Sequence, residues 1–205
     1  MEIYGIRAEK IPPFKRLIKV LPLQWVVAWS LGHPKASKRS QELRQSLGGL
    51  YLLFRAGATG FLVYDKSGRP YFLEENSGFS ISHTRGYVVC AHIKREGARV
   101  GVDVERTGRI PKEHMLPMAE RWFSAEERKG MPPGPDEEAF LRIWTRKEAL
   151  LKYRGVGLDH LREADTEPAE GSGELAFSTI AYRDLILSIC AEENEDVPHK
   201  VIWIK

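Results

Sequence analysis

Two carboxylates in the middle of the chain have the spacing of neighbours on one face of a β-strand. They are Asp103 and Glu105, which alternate with valines in Gly101-Val-Asp-Val-Glu105. Because side chains alternate along a strand, the acids share one face and the valines share the other. Two close carboxylates repel each other unless a cation lies between them, and Mg²⁺ prefers such oxygen ligands. The pattern indicates a divalent-cation site, with an acidic solvated strand face as the alternative.

A second set of charged residues lies on a predicted helix later in the chain. Helical spacing places the following on one side of it: Phe140, Trp144, Lys147, Glu148, Leu151 and Lys152. An apolar stripe with two lysines and a glutamate indicates charged groups that meet a ligand. The alternative is an i,i+4 pair of Glu148 with Lys152, whose stems cover the edge of the core.

A third set is the segment Phe79-Ser-Ile-Ser-His-Thr84. Its histidine, His83, follows an alternating pattern, and a lone histidine is more often structural than functional. Ser82 is adjacent to His83, and neighbouring strand residues face opposite ways, which argues against a nucleophile–base pair.

The elements that position these residues form two similar series, which predicts an α+β protein of two lobes. Each lobe has one long helix packed on a small, mostly antiparallel sheet, with lobe boundaries at 1–106 and 107–205. Helices are predicted at 43–54, 117–123 and 136–153, and strands at 25–30, 60–64, 71–73, 80–93, 99–105, 174–182, 185–191 and 200–204. Ser124 is predicted to cap a further helix, with Glu127 completing a capping box.

Composition narrows the classes of function. A net charge of +3 on 205 residues gives no case for nucleic-acid binding. Cys90 and Cys190 lie in apolar runs and are predicted to be buried free thiols. We expect a soluble, cytoplasmic protein because the sequence has neither a signal peptide nor a run long enough to span a membrane.

Taken in order, the motifs resemble the large, pseudo-dimeric, surfactin-synthetase-activating type of 4′-phosphopantetheinyl transferase. The matching segments are Gly68-Arg-Pro70, Phe79 to Thr84, Gly101 to Glu105, Arg121-Trp-Phe-Ser-Ala-Glu-Glu127, Trp144 to Lys152 and Gly155 to Leu158. They cover the middle of the chain, and the Asp-x-Glu strand together with the Trp-x-x-Lys-Glu-Ala helix is specific.

The resemblance implies a monomeric, two-lobed fold that binds coenzyme A between the lobes. It implies that Asp103, Glu105 and Glu148 hold Mg²⁺. Glu148 would accept the proton of a serine on an apo acyl or peptidyl carrier protein, and 3′,5′-ADP would leave. Lys152 would stabilise or protonate the leaving group. The implied coenzyme A contacts are Arg39, Arg44, Arg69, Ser82, His83, Asp103, Lys147 and Lys152.

A carrier-docking surface is proposed on the stretch that follows Glu105. Its candidate residues are Lys112, Met115, Leu116 and Arg121, since carrier proteins generally present an acidic helix. Ordinary amphipathic packing is the alternative for this stretch. For the whole chain, the alternatives are a non-catalytic module that binds coenzyme A or a carrier, and a metal-dependent phosphodiesterase that uses water.

Overall fold

A computed structural model describes residues 1–32, 41–66, 68–74, 77–166, 175–192, 196 and 200–204. These residues form a mixed α and β structure, which confirms the predicted α+β class. The strands are β1 (Glu2–Arg7), β2 (Leu62–Tyr64), β3 (Pro70–Phe72), β4 (Gly78–Thr84), β5 (Tyr87–Ile93), β6 (Val100–Arg106), β7 (Leu175–Tyr182), β8 (Leu185–Glu192) and β9 (Ile202–Ile204). The α-helices are α1 (Phe14–Val20), α2 (Leu23–Gly32), α3 (Gln41–Arg55), α4 (Lys112–Trp122), α5 (Ala125–Lys129) and α6 (Glu137–Arg154).

The chain divides into two compact units, Met1–Arg99 with Val201–Lys205, and Val100–Lys200. The sequence-based boundary at 106/107 falls after β6, whereas the contacts of β6 with β8 and α6 belong to the second unit. The last strand, β9, leaves the second unit and pairs in parallel with β1 of the first. Local patterns cannot reveal such a pairing, because it joins the two ends of the chain.

The first unit is built on a four-stranded sheet in the order β4-β5-β1-β9. Helix α3 packs on this sheet and buries an apolar stripe that includes Leu47, Leu50 and Leu53. The glycine pair in this helix allows close approach: a Cβ on Gly49 would lie 2.5 Å from a methyl group of Ile81. The predicted helix at 43–54 is therefore confirmed, and its glycines serve packing.

Two strand predictions in the first unit are wrong. The apolar run at 25–30 belongs to helix α2, because a run that is apolar on all sides has no period that separates strand from helix. Trp25 and Trp29, one helical turn apart, are buried together in the core. The predicted strand at 80–93 is a hairpin of β4 and β5, with Gly86 at a φ of 89° in the turn.

The second unit is a three-stranded antiparallel sheet in the order β6-β8-β7, covered by α6. Asp136 caps the start of α6 by accepting from the Ala139 N–H at 2.9 Å, and Gly155 ends the helix in the left-handed conformation. The predicted helix at 136–153 is confirmed. The predicted capping box of Ser124 and Glu127 is also present, at the start of α5. Helix α4 begins five residues earlier than predicted and contains Pro117.

Cys90 and Cys190 are buried free thiols, as predicted. Among the helices that the structure describes, none combines the length and the hydrophobicity that crossing a membrane requires.

Gly101 sets the distance between β6 and α6. A Cβ at this position would lie 1.8 Å from the Ala149 carbonyl oxygen and 2.6 Å from the Tyr153 nitrogen. Both are backbone atoms, so neither can move aside alone. We expect Gly101→Ala to lower the free energy of unfolding by about 3 kcal/mol, measured by urea denaturation.

Gly130→Ala is the matched control for that substitution. Gly130 has a helical φ of −74°, and a Cβ added there would have its nearest neighbouring atom 3.6 Å away. We expect a change within about 0.5 kcal/mol. Equal effects of the two substitutions would contradict the close packing of β6 on α6.

Candidate active site

The carboxylate of Asp103 is buried where β6 faces α6. The residue is paired with Ser188 of β8 in the sheet register, and its side chain is only 3% exposed. Its Oδ1 accepts from Lys152 Nζ at 2.6 Å. Val102 and Val104 on the opposite face of β6 are buried as well, so both faces of the strand are covered at this level. Asp103 is therefore a desolvated anion held by a cation.

Glu148 lies one turn before Lys152 on α6 and is half-buried. Burial, followed by the negative charges of Asp103 and Glu105, raises the pKa of Glu148 to about 8, although Lys152 and the Trp144 side chain oppose this. The three predicted acids therefore lie within electrostatic range of one another. A cation placed among them would counter their repulsion.

The end of β6 carries Glu105, whose carboxylate pairs with Arg109 at 3.4 Å. The loop that holds Arg109 is anchored by Glu137, the first residue of α6. Its carboxylate accepts backbone N–H groups from Gly108 at 2.8 Å, Arg109 at 3.1 Å and Ile110 at 3.3 Å. Glu137 was not identified from the sequence, since an acid in the first turn of a helix is ordinary there.

The donor chemistry of these acids suits Mg²⁺, which binds carboxylate oxygens together with water and phosphate. Burial first, and then the negative charges of Asp103 and Glu105, raise the pKa of Glu148, and a bound cation would counter the second of these causes. In the part of the chain that the structure describes, however, no three acidic, histidine or cysteine side chains are already arranged as a metal-ligand set. Asp103, Glu105 and Glu148 would have to adjust around an ion.

The predicted role of Lys147 is wrong. It was assigned to a phosphate of coenzyme A, but its side chain is completely buried in an ion pair with Glu127 at 2.9 Å. Nζ also donates to the Ala164 carbonyl oxygen. No ligand can reach a side chain that is 0% exposed while these contacts persist.

Glu127 is the centre of that buried network. Besides Lys147, it accepts from the Ser124 N–H at 2.8 Å and from the backbone and hydroxyl of Thr166 at 3.1 and 2.8 Å. Burial opposes its ionisation, but the hydrogen bonds of Lys147, Ser124 and Thr166 outweigh burial and lower the pKa of Glu127. The capping-box pattern found Glu127 in the sequence, but nothing there indicated its partners 20 and 39 residues away.

Residues predicted to contact the nucleotide lie in the first unit. His83 is exposed and lines a cavity of about 440 Å³ with Gly68 and Pro70, whereas Ser82 is buried on the other face of β4. Burial lowers the pKa of Arg69, and its backbone N–H is bound by Asp65. Arg44 donates to the Ile11 carbonyl oxygen at 3.2 Å. Arg39 lies outside the described residues.

Three of the four residues predicted to dock the carrier are exposed, and one is buried. Leu116 is 45% exposed, and Lys112 and Arg121 are also exposed on α4. Met115 is 1% exposed and packs in a core cluster with Ala119 and Phe123, which corrects its assignment to a surface. For Met115, ordinary amphipathic packing, the alternative to a docking surface, is therefore correct.

A sequence profile of the 4′-phosphopantetheinyl transferase superfamily matches residues 99–195, which include β6 and α6. AcpT of Salmonella typhimurium, named a 4′-phosphopantetheinyl transferase, is 36% identical over 152 residues, covering 70% of this chain and 74% of AcpT. HetI of Nostoc sp., which carries the same enzyme name, is 34% identical over 150 residues, covering 67% of this chain and 61% of HetI. The chain belongs to the 4′-phosphopantetheinyl transferase superfamily.

The matches leave part of some relatives uncovered. The chain spans less than two thirds of HetI, and likewise 65% of AcpT of Escherichia coli K12, to which it is 32% identical over 133 residues.

The buried pair of Lys147 and Glu127 should matter for stability. Lys147→Met leaves a buried carboxylate without its cation, and we expect it to lower the free energy of unfolding by about 3–5 kcal/mol. The double variant Lys147→Met/Glu127→Gln removes that charge while keeping an acceptor for Ser124. It should be more stable than Lys147→Met by about 1–2 kcal/mol in urea denaturation.

The pH dependence checks the same pair independently. Because folding lowers the pKa of Glu127, its stabilising effect is present above the ordinary value of 4.5 and is lost as the pH falls further. The stability difference between wild type and the double variant should shrink below pH 4.5. A difference that stays constant with pH would contradict the ion pair.

Proposed function

We propose that the chain transfers the 4′-phosphopantetheine group of coenzyme A to a serine of an apo acyl or peptidyl carrier protein, with Mg²⁺, releasing 3′,5′-ADP. The single observation that supports this most is the set of acids Asp103, Glu105 and Glu148, gathered beside Lys152 in the region that matches the superfamily. The enzyme names of HetI and AcpT give the same reaction class for those proteins.

The residues divide the chemistry as follows. Asp103, Glu105 and Glu148 would hold Mg²⁺ through their carboxylate oxygens, and the ion would neutralise charge on the diphosphate. Glu148 accepts the proton of the carrier serine, whose oxygen attacks the β-phosphate of coenzyme A. Lys152, with its side chain partly exposed, meets the phosphate of the departing 3′,5′-ADP.

The finer features of the fold are also proposals. Each compact unit has one long helix, α3 or α6, packed on a mostly antiparallel sheet, which supports the large, two-lobed type over a small single-lobed one. The surfactin-synthetase-activating type is retained in this sense only, since the relatives reported above are named AcpT and HetI. We expect a monomer in the cytoplasm, with the first unit contacting the nucleotide through Arg39, Arg44, Arg69 and His83; the buried Ser82 is no longer among these contacts.

The second candidate is a module that binds coenzyme A or a carrier without turnover. The acids favour the enzyme, because binding alone gives no reason to keep Asp103 and Glu148 close in a desolvated place at an electrostatic cost. A water-using phosphodiesterase would use the same acids, but it would release phosphopantetheine when no carrier is present.

The full chain with Mg²⁺ and coenzyme A should add the mass of one phosphopantetheine to apo carrier proteins, measured by mass spectrometry over a panel of carriers. Glu148→Gln keeps the size of the side chain but removes the base, and we expect turnover to fall by about 100-fold or more. Binding of coenzyme A, measured by calorimetry, should change much less.

Arg142→Gln is the control for a change of charge on the same helix, because Arg142 forms an exposed pair with Glu138 one turn away. It should leave turnover within about twofold. Normal turnover in Glu148→Gln would refute the assigned base. Tight binding of coenzyme A with no mass gain on any carrier would favour the binding module.

The carrier-docking surface is now limited to the exposed residues of α4. Lys112→Glu should raise KM for the carrier about tenfold with a small change in kcat, since a rim charge mainly affects association. Lys129→Glu, on α5 and also exposed, is the charge-matched control. Unchanged KM in both Lys112→Glu and Arg121→Glu would remove this surface from the proposal.

A further inference from the structure

Lys152 already neutralises the carboxylate that a divalent cation would bind. Its ammonium donates to Asp103 Oδ1 at 2.6 Å, and the Asp103 side chain is 3% exposed. A carboxylate so far from water requires a positive partner. In the structure, that partner belongs to the chain itself.

Two cations cannot both approach this oxygen closely at low cost. Mg²⁺ holds a carboxylate oxygen at about 2.0–2.1 Å, and an ammonium that stayed within hydrogen-bond distance of the same atom would face the ion with little water between them. Their repulsion is strong in a desolvated place. Binding of the ion therefore favours departure of the ammonium.

The position of Lys152 on α6 allows this departure. Its side chain is 31% exposed, so the ammonium can turn towards solvent without breaking the core. Lys147 shows the opposite arrangement, since it is fully buried and also bound to the Ala164 carbonyl oxygen. The two lysines differ in the freedom to move, although they lie on the same helix.

We propose that Lys152 is an internal counter-cation for Asp103, which a divalent cation displaces, and that displacement frees the ammonium to meet an anionic substrate group. The identification of that group as a phosphate of coenzyme A rests on the proposed function. The metal-free protein thereby avoids an unpaired buried carboxylate. Lys152 consequently weakens metal binding until an anion accepts the ammonium.

Arg109 provides an internal comparison. It pairs with Glu105 at 3.4 Å, with side chains 50% and 27% exposed. Water already solvates this pair, so its loss changes the electrostatics of the site little. Competition with the metal is therefore stronger at Asp103 than at Glu105.

The test measures Mn²⁺ binding to the full chain by electron paramagnetic resonance, without coenzyme A or carrier. Lys152→Gln removes the competing charge at similar length, and we expect Mn²⁺ to bind about tenfold more tightly. Arg154→Gln removes a charge from the same end of α6 and should change the affinity by at most about twofold, as should Arg109→Gln.

A second measurement follows the ammonium directly. Reductive methylation of wild type, read by mass spectrometry, should modify Lys152 at least about twofold faster with saturating Mg²⁺, because an ammonium released from Asp103 loses its ion pair. Lys129 on α5 is the internal control, and its rate should not depend on Mg²⁺.

The outcomes separate this inference from the proposed function. If wild type binds Mn²⁺ but Lys152→Gln binds it equally or more weakly, the counter-cation role is wrong and the transferase proposal stands. If Arg154→Gln gains as much as Lys152→Gln, the effect is general charge, and direct competition is overturned. If neither protein binds Mn²⁺, the counter-cation role falls together with the metal requirement of the proposed function.

Discussion

The close packing of α6 on β6 is the constraint on which the candidate site depends. The two elements approach so closely that the position of Gly101 has no room for a Cβ beside the Ala149 carbonyl oxygen. This approach covers the face of β6 that carries Gly101 and Asp103, and it removes Asp103 from water. It also brings Glu148 within range of the strand's negative charges, which, after burial itself, raise its pKa. Thus one steric fact at a glycine produces the unusual electrostatics of the site.

The two lysines of α6 show how local surroundings give different roles to the same residue type. At about 100° per residue, Lys147 lies within about 20° of Phe140, and both side chains are fully buried. Lys152 lies about 120° from Phe140, where it contacts Asp103 of β6. Lys147 has no path to water and requires a fixed anion, Glu127. The side chain of Lys152 is partly exposed and can exchange partners.

Local signals in the sequence predicted much of this unit. The helix at 136–153 and the capping box of α5 depend on residues a few positions apart, and the structure confirms both. The sequence failed where the outcome depends on distant contacts, as for the all-apolar run that forms α2 and for β9, which pairs with β1. Spacing alone could reveal neither the burial of Lys147 nor its partners Glu127 and Ala164, which lie 20 and 17 residues away.

The second unit tolerates carboxylates that repel one another because other interactions stabilise its fold. The buried pair around Glu127 joins α5, α6 and Thr166, while Glu137 fixes the loop after β6 through its backbone N–H groups. Arg106 pairs with Asp184 in the turn between β7 and β8. None of these contacts uses a proposed metal ligand or Lys152. These separate interactions therefore offset the electrostatic cost of placing Asp103, Glu105 and Glu148 close together. The three acids and Lys152 remain able to exchange ion-pair partners when a metal cation and an anionic substrate bind.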